Sequence, residues 1–457
     1  MTTRTTRIAR RFTLLSALTA AVACFASPSN AQTLPPGAAP VVTACPTAVP
    51  VKTVCHTGLD ANGAYYLIAM PENWNRVLVM HSHGGPDLAA PSSTRSAEDL
   101  TRWAIMVKAG YAWAGSTFRR GGYGVRMAAE DTENLRQLFL KTFGQPRRTI
   151  MHGQSWGGNV GAKVTELYGH QKNPDGSKAY DGTLLTSGVL GGGTRGYDYR
   201  IDLRVVYQYY CNNHPRADEP QYPLWIGLPL DSAMTPRDLA ARVNECTGVQ
   251  LAPEKRTDAQ RRALANILNV TRVPERTLIA HLSWGTFLFS DIVHWRLHGR
   301  NPFSTTGVRY SGSEDDAALN RGVARYRADP RALAELAHDS DLTGKVSIPV
   351  LTLHAIDDPT AFVEHEAAYR RVRERAGTAA LLVQTFSKES EHSYLATPQY
   401  PALLEALLAW IDKGEKPSPQ SVAALCGKYT SAYEGGCHFD TTYRPQPYES
   451  RVYPRQR

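Results

Sequence analysis

The stretch TIMHGQSWGGNVGAKV, residues 149–164, passes from an apolar, β-branched run into a helix-forming run through one glycine-rich turn. The first run predicts a buried strand, and the second, continuing as GGNVGAKVTELYG, predicts a helix. A strand, a sharp turn and a helix in this order can expose Ser155 as a nucleophile, and the turn fits the pattern G-x-S-x-G. An ordinary strand-to-helix loop is the alternative, so the remaining chain must supply the partners that a serine nucleophile needs.

Strand-like and helix-like runs alternate on both sides of this turn. Apolar runs such as RVLVMHSHGG, YAWAGSTF, VSIPVLTLHA and ALLVQTFS predict strands buried on both faces, and the runs between them have helical spacing. This alternation predicts the α/β class: a mostly parallel, twisted sheet with helices on both faces. Residues 32–45, rich in Pro and Ala, predict a loose lead-in.

The alternation stops near Gly193 and returns near Thr343. The segment between has helical patterns, TPRDLAARVNEC and DAQRRALANILNV, and many aromatic residues, but no strand rhythm. We therefore expect a core in two parts, 32–193 and 344–457, interrupted by a large, mainly helical lid at 194–343, here called the helical insertion. The second part of the core ends in a cysteine-containing tail.

The N-terminal 31 residues have the pattern of a secretory signal peptide. Four arginines precede the apolar run FTLLSALTAAVACFA, and small residues follow it before a cleavage position after Ala31. The run is too short for a membrane span, so the mature protein is expected to be secreted or periplasmic without a membrane-spanning segment. Arg10-Arg11 matches the twin-arginine signal loosely, and the choice between the general and twin-arginine routes stays open.

Removal of residues 1–31 would take away four arginines and no acidic residue, so the formal charge would fall from +9 to +5. The remaining excess is mild, and no clustered basic and aromatic stripe is present. The sequence therefore does not predict nucleic-acid binding.

Seven cysteines are present, and Cys24 lies in the signal segment. An even number of cysteines in an exported protein favours disulfides, and the remaining six fall into three couples that are near in sequence. We predict the disulfides Cys45–Cys55, Cys211–Cys246 and Cys426–Cys437, with buried free thiols as the alternative. No C-x-x-C spacing indicates a zinc site.

A serine nucleophile needs a base, an acid that orients the base, and donors for the oxyanion. The run HSHGGP, residues 81–86, follows a predicted strand, and Gly84 or Gly85 can donate one backbone N–H to the oxyanion. Pro86 has no N–H, and Trp156, directly after the serine, can supply the second donor. His81 and His83 could instead form a metal pair, but no matching ligand set follows, and no metal is predicted.

The acid and the base are expected after the later strands. LHAIDDP offers Asp357 or Asp358, and we prefer Asp358 because it stands before Pro359. His392 lies in the polar run SKESEHSYL, and it completes the chain order Ser, Asp, His. His354 and His365 compete for the role of base, but their positions in a strand and a helix favour structural roles.

These four motifs are the serine turn and the runs HSHGGP, LHAIDDP and SKESEHSYL. Their identity and order resemble the α/β-hydrolase superfamily over residues 65–195 and 345–415. HGGP together with GQSWGG is also similar to the proline iminopeptidase branch and its secreted tripeptidyl-aminopeptidase relatives. The chain departs from that pattern at Asp87, where the branch usually continues with Gly, and at Ala355, where Gly is usual before the acid. The resemblance implies a triad of Ser155, Asp358 and His392, an acyl-enzyme intermediate and no cofactor.

The main functional prediction is a secreted serine hydrolase acting on a small-molecule or oligomeric carboxylic ester. The alternative is an aminopeptidase of the proline-iminopeptidase type, for which acids of the helical insertion would hold the substrate amine: Asp218, Glu219 or Asp231. A non-enzymatic binding protein with the same fold would lack a required residue in one of the four motifs, and all four motifs are intact. The sequence does not indicate an oligomeric state.

Three further residues are candidates for substrate binding. Trp225 and Trp284 lie in aromatic-rich parts of the helical insertion and could line a pocket, or could equally form that segment's own core. Arg119 follows the strand YAWAGSTF and could bind a carboxylate, although a solvated surface arginine is the more common case.

Overall fold

The structure is a computed structural model that describes residues 35–50 and 52–456. The predicted signal peptide, residues 1–31, lies outside the described residues. Within them, ten strands form one sheet in the order β1-β2-β3-β5-β4-β6-β7-β8-β9-β10. The strands are β1 Val41–Thr43, β2 Thr53–Leu59, β3 Tyr65–Pro71, β4 Val77–Ser82, β5 Ala112–Ser116, β6 Arg148–Gln154, β7 Gly182–Thr186, β8 Val350–Ala355, β9 Leu382–Ser387 and β10 Phe439–Asp440.

The centre of the sheet is parallel. Strands β5, β4, β6, β7, β8 and β9 pair in parallel, whereas β1, β2 and β3 at one edge and β10 at the other pair antiparallel. Every residue of β4, β5, β7, β8 and β9 is buried, as the continuous apolar runs predict for strands covered on both faces. The predicted α/β class is confirmed. The expectation of a loose lead-in over 32–45 is wrong in part, because β1 pairs with β2 there.

Helices connect the strands. The α-helices are α1 Ser93–Lys108, α2 Val125–Phe143, α3 Trp156–Tyr168, α4 Gly192–Gly196, α5 Asp198–Cys211, α6 Pro236–Thr247, α7 Asp258–Thr271, α8 Leu278–Ser283, α9 Asp316–Gly322, α10 Pro330–Ser340, α11 Glu364–Arg375, α12 Gln399–Lys413 and α13 Pro419–Cys426. Two π-helical segments, Trp284–Leu288 and Asp291–Arg296, follow α8. Short 3-10 turns lie at Leu224–Ile226, Pro253–Lys255, Glu275–Thr277, Ala379–Leu381, Gly427–Tyr429 and Tyr448–Ser450.

Two buried clusters cover the two faces of the sheet. One includes Trp103 of α1 and Leu403 of α12, and the other includes Leu135 of α2 and Val160 of α3. This arrangement, with the strand order β3-β5-β4-β6 where the pairing changes from antiparallel to parallel, is the α/β-hydrolase fold. In such a sheet, residues after the carboxyl ends of neighbouring strands meet at one edge, where ligands bind.

The chain between β7 and β8 is helical in the described residues, with α4 to α10 inside it. A C-terminal segment, residues 448–456, links this helical insertion to the core. Arg455 pairs with Asp198 and Asp202 of α5, and the Tyr453 hydroxyl hydrogen-bonds the Val270 carbonyl of α7. On the core side, Glu449 accepts hydrogen bonds from Arg371 of α11.

The described part of the chain contains three disulfides, Cys45–Cys55, Cys211–Cys246 and Cys426–Cys437, which are the three predicted couples. Disulfides persist in oxidising compartments, so these bonds are consistent with an extracellular protein. A search of the helices in the described residues found none with the length and apolar character needed to span a bilayer.

Candidate active site

Ser155 occupies the sharp turn between β6, which ends at Gln154, and α3, which begins at Trp156. Its φ of 59° and ψ of −123° lie in a strained region for a residue with a side chain. The flanking glycines make the turn possible: a Cβ on Gly153 would overlap the Gly157 carbonyl, and one on Gly157 would overlap the Ser82 carbonyl. The predicted turn is therefore present.

The structure brings together the three residues predicted as the triad. The Oγ of Ser155 lies 2.8 Å from Nε2 of His392, and Nδ1 of His392 lies 2.8 Å and 3.0 Å from the carboxylate oxygens of Asp358. The His392 side chain is 19% exposed, whereas that of Asp358 is fully buried. The imidazole therefore joins a buried carboxylate to a hydroxyl at the edge of solvent.

Asp358, and not Asp357, faces the imidazole. Asp358 also accepts hydrogen bonds from the backbone N–H groups of Thr360 and Ala361, while Asp357 is exposed. Burial alone would raise the pKa of Asp358, but the charges and hydrogen bonds of His392 and His354 outweigh it and hold this pKa well below its usual range. Asp358 is therefore an anion at neutral pH.

A second buried histidine lies behind Asp358. Nε2 of His354 donates to the Ala361 carbonyl at 2.7 Å and lies 3.5 Å from Asp358, and its Nδ1 lies 3.3 Å from Glu366. Because one ring nitrogen faces a carbonyl and the other a carboxylate, both must carry protons. Burial would lower the pKa of His354, but Asp358 and Glu366 raise it to about 10. The sequence favoured a structural role for His354, and the structure shows that it contacts Asp358, the predicted acid.

Gly84, Gly85 and Trp156, the predicted oxyanion donors, lie around Ser155. A Cβ built on Gly84 would stand 3.4 Å from the Ser155 Cβ, and Gly84 and Gly85 line the same cleft as Ser155 and His392. Trp156 is the first residue of α3, where backbone N–H groups lack an intrahelical acceptor. The three residues therefore border Ser155, and their role as oxyanion donors stays a prediction.

A hydrogen bond joins the turn of the serine to the loop of the histidine. The side-chain amide of Gln154, the residue before Ser155, donates to the hydroxyl of Ser393, the residue after His392. Both side chains are buried. Sequence reasoning missed this link, because neither polar side chain belongs to a motif that assigns it a partner.

Ser155 and His392 open into a cleft of about 330 Å³. Trp284 of the helical insertion lines it, and the guanidinium of Arg200 lies 4.2 Å from the centre of the Trp284 ring. The far wall carries a group of charged side chains from α1, here called the α1 charged group: Arg95, Glu98, Asp99 and Arg102. No motif in the sequence marks this group, since the pattern of α1 is that of an ordinary amphipathic helix.

The other predicted pocket residues lie elsewhere. Arg119 binds the carboxylates of Asp131 and Glu130, and Trp225 packs against the buried core of the helical insertion. The predicted amine-binding acids Asp218, Glu219 and Asp231 are not among the residues lining the cleft, and Glu219 pairs with Arg242.

The two histidines considered as a metal pair point to different partners. Nδ1 of His81 lies 2.9 Å from Nδ1 of the buried His152, and Nδ1 of His83 lies 2.6 Å from the Gly84 carbonyl. Within residues 35–50 and 52–456, no group of three or more His, Cys, Asp or Glu side chains is arranged to hold a metal ion.

Comparison with known proteins gives limited similarity. No family model matches the chain. A stretch of 108 residues is 33% identical to an o-phthalyl amidase from Xanthobacter agilis and covers 23% of this chain and 22% of the amidase. The chain thus matches about a fifth of the length of this curated relative.

Several solved structures resemble the chain at 13% identity. An esterase from Aspergillus oryzae has a TM-score of 0.43 over 80% of this chain and 81% of its own. Feruloyl esterase B from the same organism has a TM-score of 0.43 over 83% of this chain and 86% of its own. Puromycin hydrolase has a TM-score of 0.36 over 82% of this chain and 39% of its own.

Proposed function

We propose that the protein is a secreted serine hydrolase that cleaves carboxylic esters with Ser155, His392 and Asp358. The observation that carries this proposal is the continuous line of hydrogen bonds from the buried carboxylate through the imidazole to the serine hydroxyl. The alcohol of a serine is a weak nucleophile, and such a line is the arrangement that activates it.

In the proposed reaction, Nε2 of His392 takes the proton of Ser155 as Oγ attacks the ester carbonyl. Asp358 accepts the Nδ1–H hydrogen bond, which fixes the tautomer and stabilises the imidazolium that forms. The N–H groups of Trp156 and of Gly84 or Gly85 receive the negative charge of the carbonyl oxygen. His392 then donates its proton to the departing alkoxide, which leaves an acyl group on Ser155.

Water completes the cycle by the same route. His392 takes a proton from a water molecule, the resulting nucleophile attacks the acyl carbon, and the acid leaves as the proton returns to Ser155. The helical insertion supplies one wall of the cleft through Trp284 in this proposal, and it would act as the lid that shapes the substrate site.

Two observations help to decide whether the substrate is an ester or an amide. The local similarity to an o-phthalyl amidase supports testing amides, since the same triad can cleave both bonds. An aminopeptidase also needs an unpaired acid for the substrate amine, and the two acids in the cleft, Glu98 and Asp99, both contact Arg95. We therefore keep the ester as the first candidate and the amide as the second.

The test compares turnover of 4-nitrophenyl butyrate with that of alanine 4-nitroanilide, using wild type, Ser155→Ala and, as control, Ser177→Ala in an exposed turn. We expect ester hydrolysis by wild type and the control, and a loss of about a thousandfold or more in kcat for Ser155→Ala. Undiminished activity of Ser155→Ala would refute the triad. Turnover of the anilide with negligible ester hydrolysis would put the amide first.

A further inference from the structure

Arg102 is the member of the α1 charged group that stands apart from the others. Arg95 contacts three carboxylates: Asp87 at 3.0 Å, and Glu98 and Asp99 at 3.5 Å each. In the described part of the chain, no carboxylate forms an ion pair with Arg102, and its buried Nε, like that of Arg95, has no hydrogen-bond partner. The two arginines of the cleft therefore differ in their ion pairs: Arg95 has three and Arg102 has none.

The lack of a partner is not caused by distance along the helix. Glu98 and Asp99 stand four and three positions before Arg102 on α1, the spacing at which side chains on a helix meet. Both carboxylates point to Arg95 instead. The guanidinium of Arg102 lies over the ring of Tyr394, 3.5 Å from its centre, and over the ring of Trp103 at 4.7 Å.

This stacking fixes the orientation of the guanidinium. Tyr394 follows His392 by two positions, and its ring is 73% exposed, so the pair stands at the mouth of the cleft. A guanidinium held on an aromatic face keeps its N–H edge for a planar anion, and carboxylates accept two parallel hydrogen bonds from such an edge. An arginine held in place before a ligand arrives also loses little entropy on binding.

We propose that Arg102 recognises a carboxylate on the substrate, so that the preferred substrates are esters carrying a second, ionised carboxyl group. This inference rests on the proposed function, because it places the carboxylate within the cleft that holds Ser155. The acids of the cleft do not cancel the attraction. Glu98 is 67% exposed and so is screened by water, and Asp99 is paired with Arg95 at 3.5 Å.

The test uses two pairs of esters that differ only in charge. In one pair the carboxylate is on the leaving group, 4-acetoxybenzoate against 4-acetoxybenzamide. In the other it is on the acyl group, monomethyl terephthalate against methyl 4-carbamoylbenzoate. For wild type we expect a preference in kcat/KM of about tenfold or more for the carboxylate in at least one pair, which also shows the side of the ester that Arg102 contacts.

Variants connect the preference to Arg102. In Arg102→Gln the ratio of kcat/KM for the carboxylate to that for the amide should fall to about one, and Arg102→Lys should restore part of it, since Lys keeps the charge but not the planar fork. Arg370→Gln, on the exposed side of α11, is the matched control and should keep the wild-type ratio. Equal rates within both pairs for wild type, or a preference that survives in Arg102→Gln, would overturn the proposal.

Failure of the hydrolase proposal would be seen separately. If no ester is cleaved, the proposed function falls, and binding of benzoate against benzamide is then measured by calorimetry with wild type and Arg102→Gln. Benzoate binding that depends on Arg102 would support the carboxylate site, and equal binding of the two compounds would overturn it.

Discussion

At the scale of single residues, Asp357 and Asp358 show how one position changes a side chain's environment. Asp358 is buried against His392, whereas its neighbour is exposed. If Asp358 orients the imidazole, Asp358→Asn should lower kcat on an aryl ester by about a thousandfold or more, because the amide favours the wrong tautomer. Asp357→Asn should stay within about twofold of wild type. Steady-state kinetics of the two variants decides the question, and the reverse ranking would contradict our assignment.

The raised pKa of His354 has a consequence for stability. A histidine whose pKa is about 10 when folded and 6.5 when unfolded stabilises the protein fully below pH 6.5, and this stabilisation declines as the pH rises towards 10. His354→Gln should therefore flatten the dependence of the unfolding free energy on pH over this range, by up to about 1.4 kcal/mol per pH unit.

Urea unfolding at pH 6.5, 8 and 9 measures this effect. His365→Gln is the control, because burial lowers the pKa of His365 to about 3 and the ring is neutral in both states above pH 6.5. That variant should lower stability by the same amount at each pH. A wild-type slope in His354→Gln would show that His354 is not an imidazolium in the folded protein.

Sequence reasoning could propose Ser155, Asp358 and His392 together because each of them follows a strand, and strand ends can be located from apolar runs. It missed His354 as a partner of Asp358 and Glu366 as a partner of His354, since a glutamate near the start of a helix and a histidine in a strand have ordinary structural explanations. Arg119 was a candidate for binding substrate, but the packing of α2 brings Asp131 to it, and the sequence does not specify that approach.

At the scale of secondary-structure elements, the start of α3 depends on how closely it approaches β4. A Cβ on Gly157 would overlap the carbonyl oxygens of Ser82 and His83, which are backbone atoms and cannot turn aside. Gly157→Ala should therefore push α3 away from the loop that carries Gly84 and Gly85, and lower both the melting temperature and kcat/KM. The expected loss of stability is about 1–3 kcal/mol.

Gly161→Ala on the same helix is the matched control. A Cβ there would meet the ends of the flexible side chains of Leu185 and Met151 at 3.2 Å and 3.3 Å. Thermal unfolding and ester kinetics of both variants test the comparison. Equal behaviour of the two would contradict a requirement for close approach at Gly157.

The elements themselves were predicted unevenly. Strands β4 to β9 were found because burial on both faces gives continuous apolar runs. Strands β1, β2 and β10 were not found: β2, TVCHTGL, mixes polar and apolar residues, and β10 has two residues whose only sign is their pairing with β9. Strands at the edge of a sheet have a weak hydrophobic sequence pattern, because their formation depends on pairing with the rest of the sheet.

At the scale of the whole molecule, the C-terminal segment holds the helical insertion against the core. The Arg455 side chain is 2% exposed and pairs with Asp202, whose carboxylate also accepts from the Tyr310 hydroxyl. Removing the cation leaves the buried carboxylate of Asp202 without its ionic partner, so Arg455→Met should destabilise the protein by about 3–5 kcal/mol. Arg444→Gln, in an exposed position, should change the unfolding free energy by no more than about 0.5 kcal/mol.

Chemical denaturation with limited proteolysis tests this prediction. Cleavage within residues 194–343 should become faster in Arg455→Met than in Arg444→Gln, because the insertion loses its buried ion pair. Unchanged stability and unchanged cleavage would show that the segment packs on the insertion without securing it.

Residues 448–456 contact both the helical insertion and the core, and these contacts affect how a substrate reaches Ser155. Trp284 belongs to the helical insertion, which residues 448–456 join through the buried Arg455–Asp202 pair and link to α11 through the partly exposed Glu449–Arg371 pair. Swinging the insertion outward would require breaking one of these ion pairs. We therefore expect passage through a permanently formed mouth. Turnover would then respond little to solvent viscosity, and changes of selectivity would come from reshaping side chains at that mouth and not from loosening a hinge.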